Sequence, residues 1–318
     1  MSANKLRCVF MGTPTFAIPS LLTLSVHPLC NMKAVFTQPD RPSGRGKKIM
    51  ETPVKTQALK LKIPVFQFPN VNYKESLLVL QKIAPELIFV VAFGQLLSSD
   101  ILELPTLGCF NAHASLLPKY RGAAPIQWAL IQGEKETGVS IIKLIKKMDA
   151  GPIVLQKSIS ISSDDTYQSI HDQLSLLSAQ LLSQTLDLAS KHQLKFKQQD
   201  NECVSFAAKL TKQNCEIKWN QPCTSILNLI RGLNPSSGAF TYLQAKRLKI
   251  FKAAISPVKS FSKPGTIESW SPQGILVHTM DFCILVTEVQ LENKKRIDVS
   301  EFVLGVKAQK GIVLGGSL

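Results

Sequence analysis

No uninterrupted apolar run in this 318-residue sequence approaches the roughly 20 residues that span a bilayer, so no membrane-crossing helix is expected. Cysteine is scarce and scattered, at Cys8, Cys30, Cys109, Cys203, Cys215, Cys223 and Cys283. The number is odd and no two stand as C-x-x-C, which argues against a disulfide framework and gives no zinc site. Most are expected to be small core residues kept reduced. A complete G-x-G-x-x-G is also missing. Gly12-Thr-Pro14 sits where a dinucleotide enzyme would place its glycine-rich turn, but no acidic residue closes the second strand, so a nicotinamide cofactor is not expected. Gly44-Arg-Gly-Lys-Lys48 imitates a phosphate loop only superficially, because it lacks the first glycine and the Ser/Thr that would hold magnesium. No internal repeat or low-complexity tract is found.

What is present fits a globular protein of two domains with a sizeable core. The hydrophobic fraction of 45% is ordinary for that class. The net charge of +15 is large. Residues 1–190 carry 19 basic and 13 acidic side chains (+6), and residues 191–318 carry 18 and 9 (+9). A basic excess weighted to the C-terminal part fits contact with a polyanion such as RNA, although solubility alone would explain a modest excess.

The N-terminal half alternates short apolar runs with helical spacing, the pattern of a parallel sheet covered by helices. Leu6–Met11, Lys33–Thr37, Leu87–Ala92 and Cys109–Ala112 read as strands, with helices near Pro53–Leu61, Tyr73–Ile83 and Pro125–Gln132. Val139–Ile145 and Ile153–Ile161 look like edge strands around a loop. Thr166–Leu188 reads as a long amphipathic helix that Asp164 or Asp165 could cap. Lys191–Glu202 is polar and aperiodic, as a linker would be. Beyond it, Ala239–Leu243, Leu248–Ala253, Gly274–His278 and Cys283–Gln290 read as strands and Thr224–Gly232 as a helix, suggesting a small barrel-like domain. The expected boundaries are 1–190, a linker at 191–205, and 206–318.

The chemistry concentrates in Asn111-Ala-His113-Ala-Ser115-Leu-Leu-Pro118-Lys-Tyr-Arg121-Gly122. In an extended segment alternate residues share a side, so Asn111 and His113 face one space. An amide that donates to an oxygen beside an imidazole that carries a proton suits acyl transfer. A lone histidine near a strand end can equally be a hydrogen-bonded structural residue. The Asn-x-His followed by Ser-Leu-Leu-Pro resembles the signature of the folate-dependent formyltransferases. The flanking Gly122-Ala-Ala-Pro125-Ile-Gln127 and Gln38-Pro-Asp-Arg-Pro-Ser-Gly-Arg-Gly-Lys47 narrow the likeness to members acting on methionyl-tRNA. The likeness runs from Val9 to about Ala253, and more loosely beyond.

The resemblance implies a Rossmann-like, doubly wound, mostly parallel α/β sheet and a smaller C-terminal OB-like β-barrel domain. It implies transfer of the formyl group of 10-formyltetrahydrofolate, the co-substrate, to the amino group of initiator methionyl-tRNA, without a metal. Asn111, His113 and Asp149 match the catalytic motif positions. From the residues alone, Asp149-Ala-Gly151 could be an ordinary turn. Ser115, Leu116, Leu117 and Pro118 match the folate segment, where the leucines could equally be core. Phe93 and Gly94, ending another strand, are expected to line the pterin pocket. Arg41, Arg45, Lys47 and Lys48 lie in a Pro- and Gly-rich loop where regular structure is not expected. On the residues alone this is a solvated basic loop; the resemblance makes it, with Lys209, a tRNA contact.

Ala114, Pro152 and Asn234-Pro235-Ser-Ser-Gly depart from the commoner family pattern. Two alternatives stand beside this reading. One is a folate-dependent formyltransferase acting on a small amine, a ribonucleotide or amino-sugar nucleotide, which would not need the Arg41–Lys48 loop. The other is a non-catalytic RNA-binding protein on an α/β scaffold. With only Met1 to Lys5 ahead of the first strand, no leader is expected; the expected address is the bacterial cytoplasm, and the expected state a monomer.

Overall fold

The computed structural model describes residues 5–43, 48–306 and 310–315. In chain order the first elements are β1 (Leu6–Gly12), α1 (Ile18–Val26), β2 (Cys30–Thr37), β3 (Arg41–Ser43), β4 (Lys48–Met50), α2 (Pro53–Lys60), β5 (Val65–Gln67) and α3 (Lys74–Ile83). Then follow β6 (Leu87–Val91), α4 (Ser99–Glu103), β7 (Gly108–His113), β8 (Arg121–Gly122), α5 (Pro125–Ile131), β9 (Glu136–Lys143), β10 (Ile153–Ser160), α6 (Tyr167–Ser190) and β11 (Phe206–Ala207). The last are α7 (Cys223–Leu233), β12 (Ala239–Leu243), β13 (Lys246–Lys259), β14 (Ile267–Ser271), β15 (Gly274–His278), β16 (Phe282–Leu291), β17 (Arg296–Asp298) and α8 (Val299–Gly305). They form two compact units. One holds Met1–Pro125, Glu136–Ile159 and His171–Ala207; the other holds Ile126–Lys135, Ser160–Ile170 and Ala208–Leu318.

The first unit is a seven-stranded sheet in the order β10-β9-β7-β6-β1-β2-β5. β5, β2, β1, β6 and β7 run parallel, and β9 is antiparallel to β7. All of β6 is buried, as an unbroken Leu-Ile-Phe-Val-Val run requires when helices cover both faces of a sheet. Val9, Met11, Phe36, Ile88 and Leu80 share one core with Phe93.

Two local expectations change. The basic loop carries the hairpin β3–β4, with Pro42 opposite Ile49. Half the N–H groups of a hairpin strand point away from the partner, so a proline there costs no ladder bond. At the start of α6 the Ser169 N–H donates to Thr166 Oγ1 at 3.4 Å, and the Thr166 N–H donates to Ser169 Oγ at 3.0 Å. Asp165 accepts from Ser162 and Ser169 and closes the preceding loop. The stretch Lys191–Glu202 is not a bare connector, since Lys197 bridges Ile153 and Gln199 is buried.

The second unit is an antiparallel sheet in the order β12-β13-β16-β15-β14, with β17 beside β16. Residues 311–315 span its outer strands: Gly315 N–H donates to Tyr242 O at 3.0 Å, and Gly311 N–H to Ile267 O at 2.9 Å. This closure makes a barrel of the open path. Ile226, Ile230 and Leu233 of α7, at i, i+4 and i+7, fill its core with Ile250, Ile284 and Val286.

Candidate active site

Strand β7 carries both residues singled out by their spacing. Asn111 pairs with Val90 of β6 and Ile142 of β9, and His113 ends the strand. Both therefore lie at the carboxyl ends of central strands, where ligands of open α/β sheets collect. Asn111 is half-buried, and no group among the described residues bonds its side-chain amide. The His113 side chain is 7% exposed, and its Nδ1 lies 3.7 Å from Asp149 Oδ2. Its Nε2 lies 2.9 Å from the Tyr120 carbonyl oxygen. A carbonyl oxygen only accepts, so Nε2 carries the hydrogen in the neutral ring. Nδ1 is then the free base, and a proton taken up there points at a carboxylate.

Asp149 follows β9 in a tight turn with its own φ at +51°. Its Oδ2 accepts the Gly122 N–H at 2.9 Å. Gly122 is required to be glycine: its φ is +126°, and a Cβ would come within 2.6 Å of the Ala207 carbonyl oxygen. That contact belongs to the two-residue ladder β8–β11, which anchors Arg121-Gly122. Arg121 is 3% exposed, and its Nε and Nη2 donate to Gln199 Oε1 at 3.0 and 2.7 Å. Gln199 Nε2 in turn donates to the carbonyls of Asp149 and Gly151 at 2.8 and 2.7 Å. Neither Gln199 nor the Tyr120 carbonyl is visible from the sequence; an arginine lacking a nearby acidic neighbour in the chain is the only signal.

The expected folate segment divides by role. Ser115 is fully buried and its hydroxyl donates to the Lys119 carbonyl at 2.6 Å, leaving it no free donor. Ser140 Oγ donates to Ser115 O at 2.7 Å and accepts the Leu117 N–H at 3.0 Å. Leu117 is buried, whereas Leu116 and Pro118 are half-buried. Phe93 is a core side chain at 3% exposure; its carbonyl accepts Thr13 Oγ1 at 3.0 Å and Gln38 Nε2 at 3.2 Å. Gly94 has φ +83°.

Arg41 and Phe93 line a cleft of about 440 Å³ together with Thr13, Gln38, Met50 and Gly94. Residues expected for folate and for tRNA thus share one space. Arg41 is exposed and donates from Nη2 to Gln38 Oε1 at 3.4 Å. Beneath the hairpin, Asp40 pairs with Lys55 and accepts Gln67 Nε2 at 2.7 Å. The Lys55 hydrogen bond, then that of Gln67, holds the Asp40 carboxyl below the usual carboxylate range. Arg45 and Lys47 lie outside the described residues, Lys48 begins β4, and Lys209 is an exposed residue of the second unit.

One further cluster has the spacing of a nucleophile, base and acid. Cys283 Sγ lies 3.2 Å from His278 Nδ1, and His278 Nε2 lies 3.2 Å from Glu268. Both Cys283 and His278 are fully buried, and burial, then Glu268, pushes the thiol up, so the cluster is structural. Among the described residues no group of three or more His, Cys, Asp or Glu could hold a metal, and no helix is long and apolar enough to cross a membrane.

The chain matches the formyl transferase family model over residues 6–186 and the formyl transferase C-terminal domain over 209–307. Methionyl-tRNA formyltransferase of Syntrophus aciditrophicus is 44% identical over 313 residues, covering 98% of this chain and 99% of that protein. The same enzyme of Pelotomaculum thermopropionicum is 44% identical over 311 residues, with 98% and 99% covered. Among solved structures, an N-formyltransferase from Helicobacter canadensis with folinic acid and dTDP-3-aminofucose superposes at TM-score 0.65 and 19% identity. It covers 89% of this chain and 98% of that one. HypX from Aquifex aeolicus with tetrahydrofolic acid superposes at 0.63 and 14% identity, over 94% of this chain and 47% of that one. These structures show the class of fold: a mostly parallel sheet with an antiparallel β domain. Within it, the chain belongs to the formyl transferase family.

Proposed function

We propose that this protein transfers the formyl group of 10-formyltetrahydrofolate to the α-amino group of initiator methionyl-tRNA. The near-complete alignment with methionyl-tRNA formyltransferases at 40–44% identity carries the reading. The small-amine alternative is not favoured, because the amino-sugar enzyme is 19% identical and shows the fold alone.

The amine attacks the formyl carbon, the carbonyl oxygen gains charge, the attacking nitrogen loses a proton, and collapse of the tetrahedral intermediate breaks the formyl carbon's bond to the folate N10, which leaves and gains a proton. Asn111, whose amide no group among the described residues bonds, donates to that oxygen. His113 takes the proton, and Asp149 stabilises the imidazolium that results. Leu116, Pro118 and the turn at Phe93–Gly94 offer walls for the flat ring of the co-substrate. The hairpin bearing Arg41, with Arg45, Lys47 and Lys48, meets the acceptor end of the tRNA, and Lys209 with the basic second unit meets its phosphates. The first unit, with residues 191–207, holds the chemistry. On this reading the protein works as a monomer in the cytoplasm, where charged tRNA and reduced folate meet.

The test is formyl transfer by the purified protein, with initiator and elongator methionyl-tRNA compared. Formylmethionyl-tRNA formed preferentially on the initiator is expected. Absence of product at micromolar enzyme overturns the reading.

A further inference from the structure

We propose that Gln199 is a positioning residue: its amide clamps the turn Asp149–Gly151 to the buried Arg121 guanidinium and so holds Asp149 against His113. The inference rests on the site reading above and extends it to a residue that the local sequence presents as linker.

The side-chain amide is fully used. Its two N–H groups donate to the carbonyls of Asp149 and Gly151, and its oxygen accepts both Nε and Nη2 of Arg121. The first of those carbonyls belongs to Asp149 itself, which is held at a left-handed φ of +51°. A non-glycine residue in that region is strained and persists only where its surroundings over-determine it. Here the Gly122 N–H fixes the carboxylate while Gln199 fixes the backbone. Arg121 supplies the anchor, since it is 3% exposed and two of its guanidinium nitrogens end on Gln199. Its neighbour Gly122 donates to Asp149, so Arg121-Gly122 reaches the turn by two routes. No other side-chain type at 199 meets both demands: a carboxylate opposes the two carbonyls, and an apolar chain leaves a buried guanidinium unpaired.

Gln199→Glu separates the clamp from the fold, because the carboxylate still satisfies Arg121 while both donors to the turn are removed. Gln199→Asn is the second variant; it keeps the amide but withdraws it by one methylene. Both should keep the KM of each substrate within about twofold and lower kcat by about tenfold to a hundredfold, the cost of a small misplacement at a reacting centre. If Gln199 acts through Asp149, adding Gln199→Glu to Asp149→Asn should cost no further kcat. A kcat within twofold of wild type in both variants overturns the proposal. So does a loss that multiplies in full on the Asp149→Asn background, which is the mark of a role independent of Asp149. The site reading fails separately, by normal turnover in His113→Asn. Loss in His113→Asn with none in Gln199→Glu removes only the role of Gln199.

Discussion

Replacing Asp149 with Asn isolates the charge beneath the histidine. The carboxylate oxygen lies 3.7 Å from His113 Nδ1, with side chains 12% and 7% exposed. Coulomb's law at an effective dielectric near 20 gives about 4 kcal/mol for a full imidazolium–carboxylate pair at that distance. Water entering beside the carboxylate, and the dipole of the new amide, reduce the loss to about 2–4 kcal/mol, a fall in kcat of about 30- to 1000-fold. Stability should hardly change. Asn tolerates left-handed backbone better than most residues, and its amide oxygen can still accept the Gly122 N–H. The assay is single-turnover formyl transfer with both substrates saturating, alongside a thermal melt. A rate within threefold of wild type refutes the electrostatic role. A large drop in Tm would mean that Asp149 is a fold residue first.

His113→Asn should lower kcat by about 10²- to 10⁴-fold while neither KM moves comparably, read from steady-state kinetics. Arg41→Ala should raise the KM for methionyl-tRNA by about tenfold with folate affinity nearly unchanged; equal loss of folate affinity would assign the shared cleft to the co-substrate. Because the Asp40 carboxyl is held low, its stabilisation is complete above the unfolded value of about 3.9 and is lost as pH falls through the folded one. The urea midpoint of wild type should thus exceed that of Asp40→Asn at neutral pH and converge with it in acid, and an equal gap at both ends rules this out. Neutralising Lys246, Arg247 and Lys249 should flatten the log–log salt slope of tRNA binding by about 0.7–0.9 for each phosphate left without its cation, and initiator preference should survive. Most of that change should come from the lysines, since Arg247 already lies 3.9 Å from Glu292. An unchanged slope would show that this cluster does not touch RNA.

The elements legible in the sequence are those whose residues carry their own period. Strand β6 is an apolar run with no alternation, and β12 and β15 match Ala239–Leu243 and Gly274–His278 at both ends. Strand β13 runs past its expected end to Lys259 because its last residues are polar or exposed and its register against β16 is irregular. Strands β8 and β11 have two residues each, too few for any period; they form because Arg121 N–H finds Ser205 O and Ala123 N–H finds Ala207 O. Those pairings join segments far apart in the chain, and nothing local announces them.

The site divides the same way. Asn111 and His113 stand two apart on one strand, so their shared side follows from strand geometry alone. Asp149 reads like any turn aspartate, and only its motif match singles it out; the left-handed backbone is visible only in three dimensions. Gln199 is hidden by its neighbours, because Lys191–Glu202 has the composition of a solvated connector. Yet a buried guanidinium must find acceptors, and Arg121 sits in a short Gly- and Ala-rich stretch with no carboxylate close by in sequence. Once Arg121 is buried, physical chemistry demands an acceptor from a distant part of the chain. The same demand explains why a glutamine serves there: its amide joins two donors for the turn to one acceptor for the arginine, in a space where a second charge would face two carbonyls.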